Sequence, residues 1–246
     1  MPATPAWPPK SLPRLFLRER LAEGAMVELD PGQANYLGKV MRLAAGGELL
    51  VFDGQSGEWL ARIAEAGRKR MTLTVERRTR EAEDLPDVWL AFAPVKRAQT
   101  DWLVEKATEL GIARLLPVLT RRTIAERVKL ERLRSIAIEA AEQCGRTRLP
   151  EIEEPVTLTT LLTAREEGRR LYFADENGGE PAAQAFARGA VLILVGPEGG
   201  FSDDERAQIR GAANSMAISL GPRILRAETA ALAALAVWMA SAGDWR

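Results

Sequence analysis

Val191-Leu192-Ile193-Leu194-Val195-Gly196-Pro197-Glu198-Gly199-Gly200-Phe201-Ser202-Asp203-Asp204-Glu205 is the stretch whose reading decides the fold. Its first five residues are apolar without alternation, the pattern of a strand buried on both faces in a parallel sheet covered by helices. Ser202 followed three residues later by Glu205 is a capping box, which predicts a helix beginning there. The glycine-rich loop between them falls where α/β sheets bind ligands, outside the carboxyl ends of the strands. It carries neither Gly-Lys-Ser/Thr nor G-x-G-x-x-G. The helix also opens on three carboxylates, which occupy its positive end and repel a phosphate. A neutral or cationic ligand suits this loop better than a nucleoside triphosphate. The plainer alternative is a capped strand–helix turn with no ligand.

Working outward, Leu220-Gly221-Pro222-Arg223-Ile224-Leu225-Arg226-Ala227-Glu228-Thr229-Ala230 repeats the arrangement. A strand over Met216–Leu220 leaves through glycine into a helix of Ala, Leu, Val and Met. Two such loops converge at one sheet edge. Arg226 and Glu228 stand at the helix entrance, where they either face a pocket or serve as a surface charge and a first-turn dipole partner. Upstream, apolar runs at Val88–Ala93, Leu115–Leu119 and Leu171–Ala174 predict further buried strands. Periodic segments at Ala98–Leu110, Leu130–Cys144 and Thr159–Glu167 predict helices. Strand–helix alternation of this kind defines an α/β domain with a parallel sheet.

The front of the chain reads differently. Five prolines fall within the first thirteen residues (Pro2, Pro5, Pro8, Pro9 and Pro13), so an arm without helix or central strand is expected. Short strands follow at Arg14–Arg18, Met26–Leu29, Glu48–Phe52, Glu58–Ala64 and Arg70–Glu76, with one helix near Gln33–Leu43. This is a small barrel-like β module. The charged, Pro-containing stretch Arg77–Asp87 is read as a linker, which gives domains 1–78 and 79–246.

Composition narrows the chemistry. The 246 residues include no histidine and one cysteine, Cys144. That excludes His-dependent triads and histidine-ligated zinc, and it leaves no intrachain disulfide and no Cys-cluster metal site. The longest apolar run, Ala230–Ala240, is too short to span a bilayer, and no signal-peptide core is visible, so a cytoplasmic protein is expected. The formal charge is zero overall, yet residues 1–80 carry +4 and residues 151–246 carry −5. A basic front suits a polyanion, although chance scatter gives the same figure. Arg14, Arg18, Lys39, Arg42 and the Arg68-Lys69-Arg70 turn are the candidate phosphate contacts. In Glu139–Arg146, Gly145 and Arg146 suit a helix stop, or Gln143 and Arg146 face RNA or the pocket rim. Asp101, Glu105 and Glu109 form an acidic helical stripe expected to face solvent.

These segments, in this order, resemble the ribosomal RNA small subunit methyltransferase E family of the SPOUT superfamily. The resemblance is carried by Tyr36–Arg42, Asp101–Gly111, Glu139–Arg146, Gly196–Gly200 and Leu220–Ala230. It implies an N-terminal PUA-like β-barrel that helps bind RNA, and a C-terminal α/β domain with a trefoil knot that is active as a homodimer. It implies S-adenosylmethionine as methyl donor and N3 of a uridine in 16S rRNA of the small ribosomal subunit as acceptor, without metal. By motif match, Phe173, Leu194, Val195, Gly196, Glu198, Gly199, Gly200, Leu220, Gly221, Ile224, Leu225 and Arg226 are the expected cofactor-binding residues. Arg226, as a stabiliser of uracil charge, and Glu228, as base, are the expected catalytic residues. Arg122 joins the RNA contacts. Tyr36 and Thr120-Arg121-Arg122 depart from the family's pattern, outside both cofactor loops. The competing readings are a related knotted methyltransferase acting on a ribose 2′-hydroxyl or a tRNA base, and a non-enzymatic RNA-binding assembly factor.

Overall fold

The structure, a computed structural model, describes residues 12–67, 70–124 and 128–245. The prolines of the arm before Pro13, and Arg68 and Lys69, lie outside the described residues. The chain divides into two compact units. One contains the residues up to Glu83 together with Glu142–Arg148, and the other contains Asp84–Ala141 and Leu149 onward.

The first unit is a five-stranded sheet of order β1-β3-β4-β5-β2, made of β1 (Arg14–Phe16), β2 (Met26–Glu28), β3 (Glu48–Phe52), β4 (Glu58–Ala66) and β5 (Met71–Arg80). Only β1–β3 is parallel. The expected barrel is an open ladder in its hydrogen bonding, since the path ends at β1 and β2 among the described residues. Register shifts in the β4–β5 pair are bulges, which bend a sheet around its core. That core holds Leu15, Leu17, Val27, Leu37, Leu49, Val51, Ile63, Leu73 and Val75. In β5, Met71, Leu73 and Val75 are all buried, as period-two alternation requires. The strand continues to Arg80, past the boundary expected at residue 78.

The helix expected over Gln33–Leu43 is two pieces: α1 (Pro31–Asn35), capped by Asp30, and a π-helical turn Tyr36–Val40. Arg42 follows with φ +56°, a left-handed conformation uncommon for a residue with a side chain. Lys39 and Arg42 therefore do not share a regular helical face.

The second unit is built on an all-parallel sheet of order β11-β13-β10-β12-β6-β7-β8. Its strands are β6 (Val88–Phe92), β7 (Arg114–Leu119), β8 (Glu151–Ile152), β10 (Arg170–Ala174), β11 (Glu180–Pro181), β12 (Val191–Val195) and β13 (Ser215–Ser219); β9 (Val156–Thr157) pairs with β7 off this path. The helices are α2 (Arg97–Glu109), α3 (Leu130–Cys144), α4 (Leu158–Ala164), α5 (Ala182–Ala185), α6 (Asp203–Gly211) and α7 (Ala227–Ser241). All five residues of β12 are buried, and the strand lies between β6 and β10. One side chain set packs with α2 and α7, where Trp238 is enclosed, and the other with Phe201 and Ile209 of the α6 region. β13 differs from the buried strand expected at Met216–Leu220. Only Ile218 is buried, and Met216 is 40% exposed, because β13 is flanked on one side by the two-residue β11 alone.

Candidate functional site

Parallel strands bring the loops at their carboxyl ends to one edge of the sheet. Three of them enclose a cavity of about 510 Å³. Gly196–Phe201 leaves β12, Ile218–Leu225 leaves β13, and Ala174–Gly178 leaves β10. Ala227 and Ala230 of α7 complete the wall. The size is within the range of small-molecule sites.

The cavity's backbone depends on glycine at two points. Gly221 has φ +104° and open space where a Cβ would stand, and Gly200 has φ +67° with the Glu176 carboxylate where a Cβ would stand. Both conformations are disfavoured for residues with side chains. The loop after β12 then turns into α6 through the expected capping box. Ser202 N–H donates to Glu205 Oε2 at 2.9 Å, and Ser202 Oγ accepts from Glu205 N–H at 3.4 Å.

Charged residues brace these loops. Asp175, at the end of β10, accepts from Arg206 and, at 2.7 Å, from Arg210 of α6; Arg206 also pairs with Glu176 at 2.9 Å. The loop after β7 is tied to the start of α6, since Arg121 N–H donates to Glu205 Oε1 at 2.7 Å and the Arg121 guanidinium meets Asp204 at 2.6 Å. The Arg122 guanidinium donates to the carbonyl of Gly199. Burial works against the charge on Glu205, yet the Arg121 and Ser202 donors outweigh it and hold its carboxyl below the ordinary range. The helix's positive end is thus filled by the protein's own acids. Glu198 is exposed on the cavity wall and makes no ion pair among the described residues.

Of the expected cofactor-binding residues, Val195, Gly196, Glu198, Gly199, Gly200, Leu220, Gly221, Ile224 and Leu225 all line this cavity. Phe173 and Leu194 do not. Both are fully buried in the core beneath it, so they support the wall rather than form it. Arg226 is exposed at the N-cap of α7 and lies outside the lining. Glu228 is a larger departure. It is 7% exposed in the first turn of α7, does not line the cavity, and has Oε2 without a hydrogen-bond partner. The carboxylates on the wall are Asp175, Glu176 and Glu198 instead; the first two are held by Arg206 and Arg210, and Glu198 has no ion pair among the described residues. The sequence reading missed Glu176, Asn177 and Gly178, although an apolar strand ending in Asp-Glu-Asn-Gly-Gly carries the same turn signal as the two loops it did single out.

Among the expected RNA contacts, Arg18, Lys39, Arg42, Arg122 and Gln143 are exposed. Arg14 and Arg146 are not available in this way. The Arg14 side chain is 7% exposed, pairs with Glu58 at 2.8 Å, and donates to the carbonyls of Glu142 and Arg146 at 3.1 and 2.8 Å. Arg146 is 5% exposed and stands 3.5 Å from Glu83. Both are structural within the first unit, where Arg14 fastens the 142–148 segment to β1. Around them, burial raises the cost of the Glu58 charge, but Arg80 and Arg14 hold its carboxyl below the usual value. Asp101 also departs from the solvent-facing stripe expected of it. It is largely enclosed by Arg132, which donates to it at 2.7 and 3.0 Å.

A parallel α/β sheet whose loops close round a glycine-lined cavity is the framework of an RNA methyltransferase domain, and that domain family matches residues 82–239. An RNA methyltransferase PUA domain family matches residues 29–76. Ribosomal RNA small subunit methyltransferase E of Rickettsia conorii is 33% identical, covering 91% of this chain and 93% of its own. The protein of that name from Synechocystis is 34% identical, covering 86% of this chain and 72% of its own. The chain belongs to the ribosomal RNA small subunit methyltransferase E family. Among solved structures, the Neisseria gonorrhoeae family member bound to S-adenosylmethionine aligns with TM-score 0.87 at 29% identity, over 96% of this chain and all of that one. A putative methyltransferase from Legionella pneumophila, in complex with the same cofactor, aligns with TM-score 0.84 at 30% identity, over 94% and 98%.

Proposed function

We propose that this protein transfers a methyl group from S-adenosylmethionine to N3 of a uridine in 16S rRNA. The observation that carries the reading is the 510 Å³ glycine-lined cavity, with Glu198 on its wall and an adjoining helix start filled by the protein's own carboxylates. Such a site rejects phosphates and favours a cationic, phosphate-free adenosine derivative. The backbone of Gly196–Gly200 and Leu220–Leu225 would hold the adenosine part, with Glu198 toward the positive charge. Bound there, the cofactor supplies an electrophilic methyl on a sulfonium and leaves as a neutral thioether.

The residues of the chain have the remaining work. N3 of uridine is protonated at neutral pH and must lose its proton to become a nucleophile. Glu198, exposed at the cavity, takes the base role in this proposal in place of the enclosed Glu228. Arg226, exposed at the start of α7, stabilises the negative charge that develops on a uracil carbonyl oxygen. Lys39, Arg42, Arg18 and Gln143 are the proposed RNA contacts of the first unit, and Arg122 that of the second. The same reading carries a homodimer, a trefoil-knotted chain and a cytoplasmic location. Its test is methyl transfer from labelled cofactor to small ribosomal subunits from cells lacking the enzyme, followed by nucleoside analysis. Label in 3-methyluridine supports it; label in a 2′-O-methyl nucleoside, or no transfer, refutes it.

A further inference from the structure

A second cavity, of about 370 Å³, adjoins the first. It is walled by Pro94, Val95 and Lys96 after β6, by Val128 and Lys129 at the start of α3, and by Pro197 and Glu198. Pro197 and Glu198 line both cavities. Its floor is apolar, and Val95 and Leu133 are buried there. Its rim is cationic. Of the rim cations, Arg132 and, at 3.9 Å, Arg97 face Asp101, which also lines the cavity, and Arg122 donates to the Gly199 carbonyl. Lys96 and Lys129 are exposed and hold no ion pair among the described residues.

We propose that this second cavity receives the acceptor nucleotide of the RNA, base inward and phosphates on Lys96 and Lys129. The inference rests on the reading of the neighbouring cavity as the methyl-donor site. A base must leave its stack to be modified, and it needs an apolar pocket of single-nucleotide size beside the donor. An apolar floor with two lysines at the mouth that hold no ion pair among the described residues has the chemistry of such a pocket, since the base loses water while the phosphates meet cations. Glu198, on the shared wall, then faces both ligands.

Two measurements test this. A uridine decamer carrying 5-iodouridine is photocross-linked to the protein saturated with S-adenosylhomocysteine, and the adducts are mapped by peptide mass. Transfer to small subunits is followed for the Lys96→Ala/Lys129→Ala variant, whose S-adenosylmethionine affinity, checked by calorimetry, stays at the wild-type value. Expected are adducts within residues 94–100 or 128–133, a KM for subunits raised about tenfold, and a log–log salt dependence shallower by about 1 to 2. Adducts confined to other segments, with unchanged KM and salt slope, overturn the acceptor site while leaving the methyltransferase reading intact. Adducts in the cavity from a wild-type protein that methylates no small-subunit RNA do the reverse: the nucleotide site stands and the proposed reaction falls.

Discussion

Replacing Gly221 by alanine tests the donor cavity most directly. The residue has φ +104°, and nothing lies within 4 Å of the position a Cβ would take. The substitution therefore introduces no collision, only backbone strain, of about 1–3 kcal/mol. That strain has two outlets. If the loop keeps its shape, the folded protein is less stable by this amount. If the loop relaxes, the shape that binds cofactor must be recovered on binding, and affinity falls by about 5- to 150-fold. The losses in unfolding free energy and in binding free energy together amount to the strain. Calorimetric titration with S-adenosylmethionine and denaturant unfolding of the same preparation measure both. Gly168→Ala is the control, because it has φ +90° and open space at the Cβ position but lies outside the cavity lining, so it should lose stability without losing cofactor affinity. If Gly221→Ala matches wild type in both measurements, the claim that this loop's left-handed backbone shapes the cofactor site is wrong.

Arg226→Ala is expected to lower the single-turnover methylation rate by about 10²- to 10³-fold, with S-adenosylmethionine affinity unchanged; full activity with RNA and cofactor saturating removes Arg226 from the mechanism. Glu58→Gln leaves the enclosed Arg14 without its carboxylate, and the first unit should lose about 3 kcal/mol at neutral pH, read by hydrogen exchange of β3–β5. Because the folded Glu58 carboxyl is held below its unfolded value, its contribution is complete above about pH 4.5 and fades as pH falls through the folded value. The wild type should thus lose stability on acidification more steeply than Glu58→Gln, and parallel curves would contradict the pairing. Lys39→Ala and Arg42→Ala should each flatten the salt dependence of RNA binding by about 1 without changing thermal stability, whereas Arg14→Ala should lower stability.

Local patterns carried much of the architecture. Ser202 and Glu205 cap α6 through bonds between residues three apart, so the helix start is legible without any tertiary information. The unbroken apolar run of β12 likewise specifies burial on both faces, and the glycines after β12 and β13 mark where backbone must turn sharply. The two motifs that suggested a ligand do meet round one cavity, because parallel strands deliver their loops to the same edge. Which side chains face that cavity was another matter. Arg14 looked like a phosphate contact until the fold placed it against Glu58, 44 residues away, and against carbonyls 128 and 132 residues away. Glu228 looked like a base at a helix entrance, yet the packing of α7 encloses it. Burial and pairing across such separations depend on how elements stack, and no periodicity or spacing encodes that. The second cavity is the extreme case: its walls come from four segments far apart in the chain, and only the assembled sheet and helices bring Lys96, Lys129 and Glu198 to one opening.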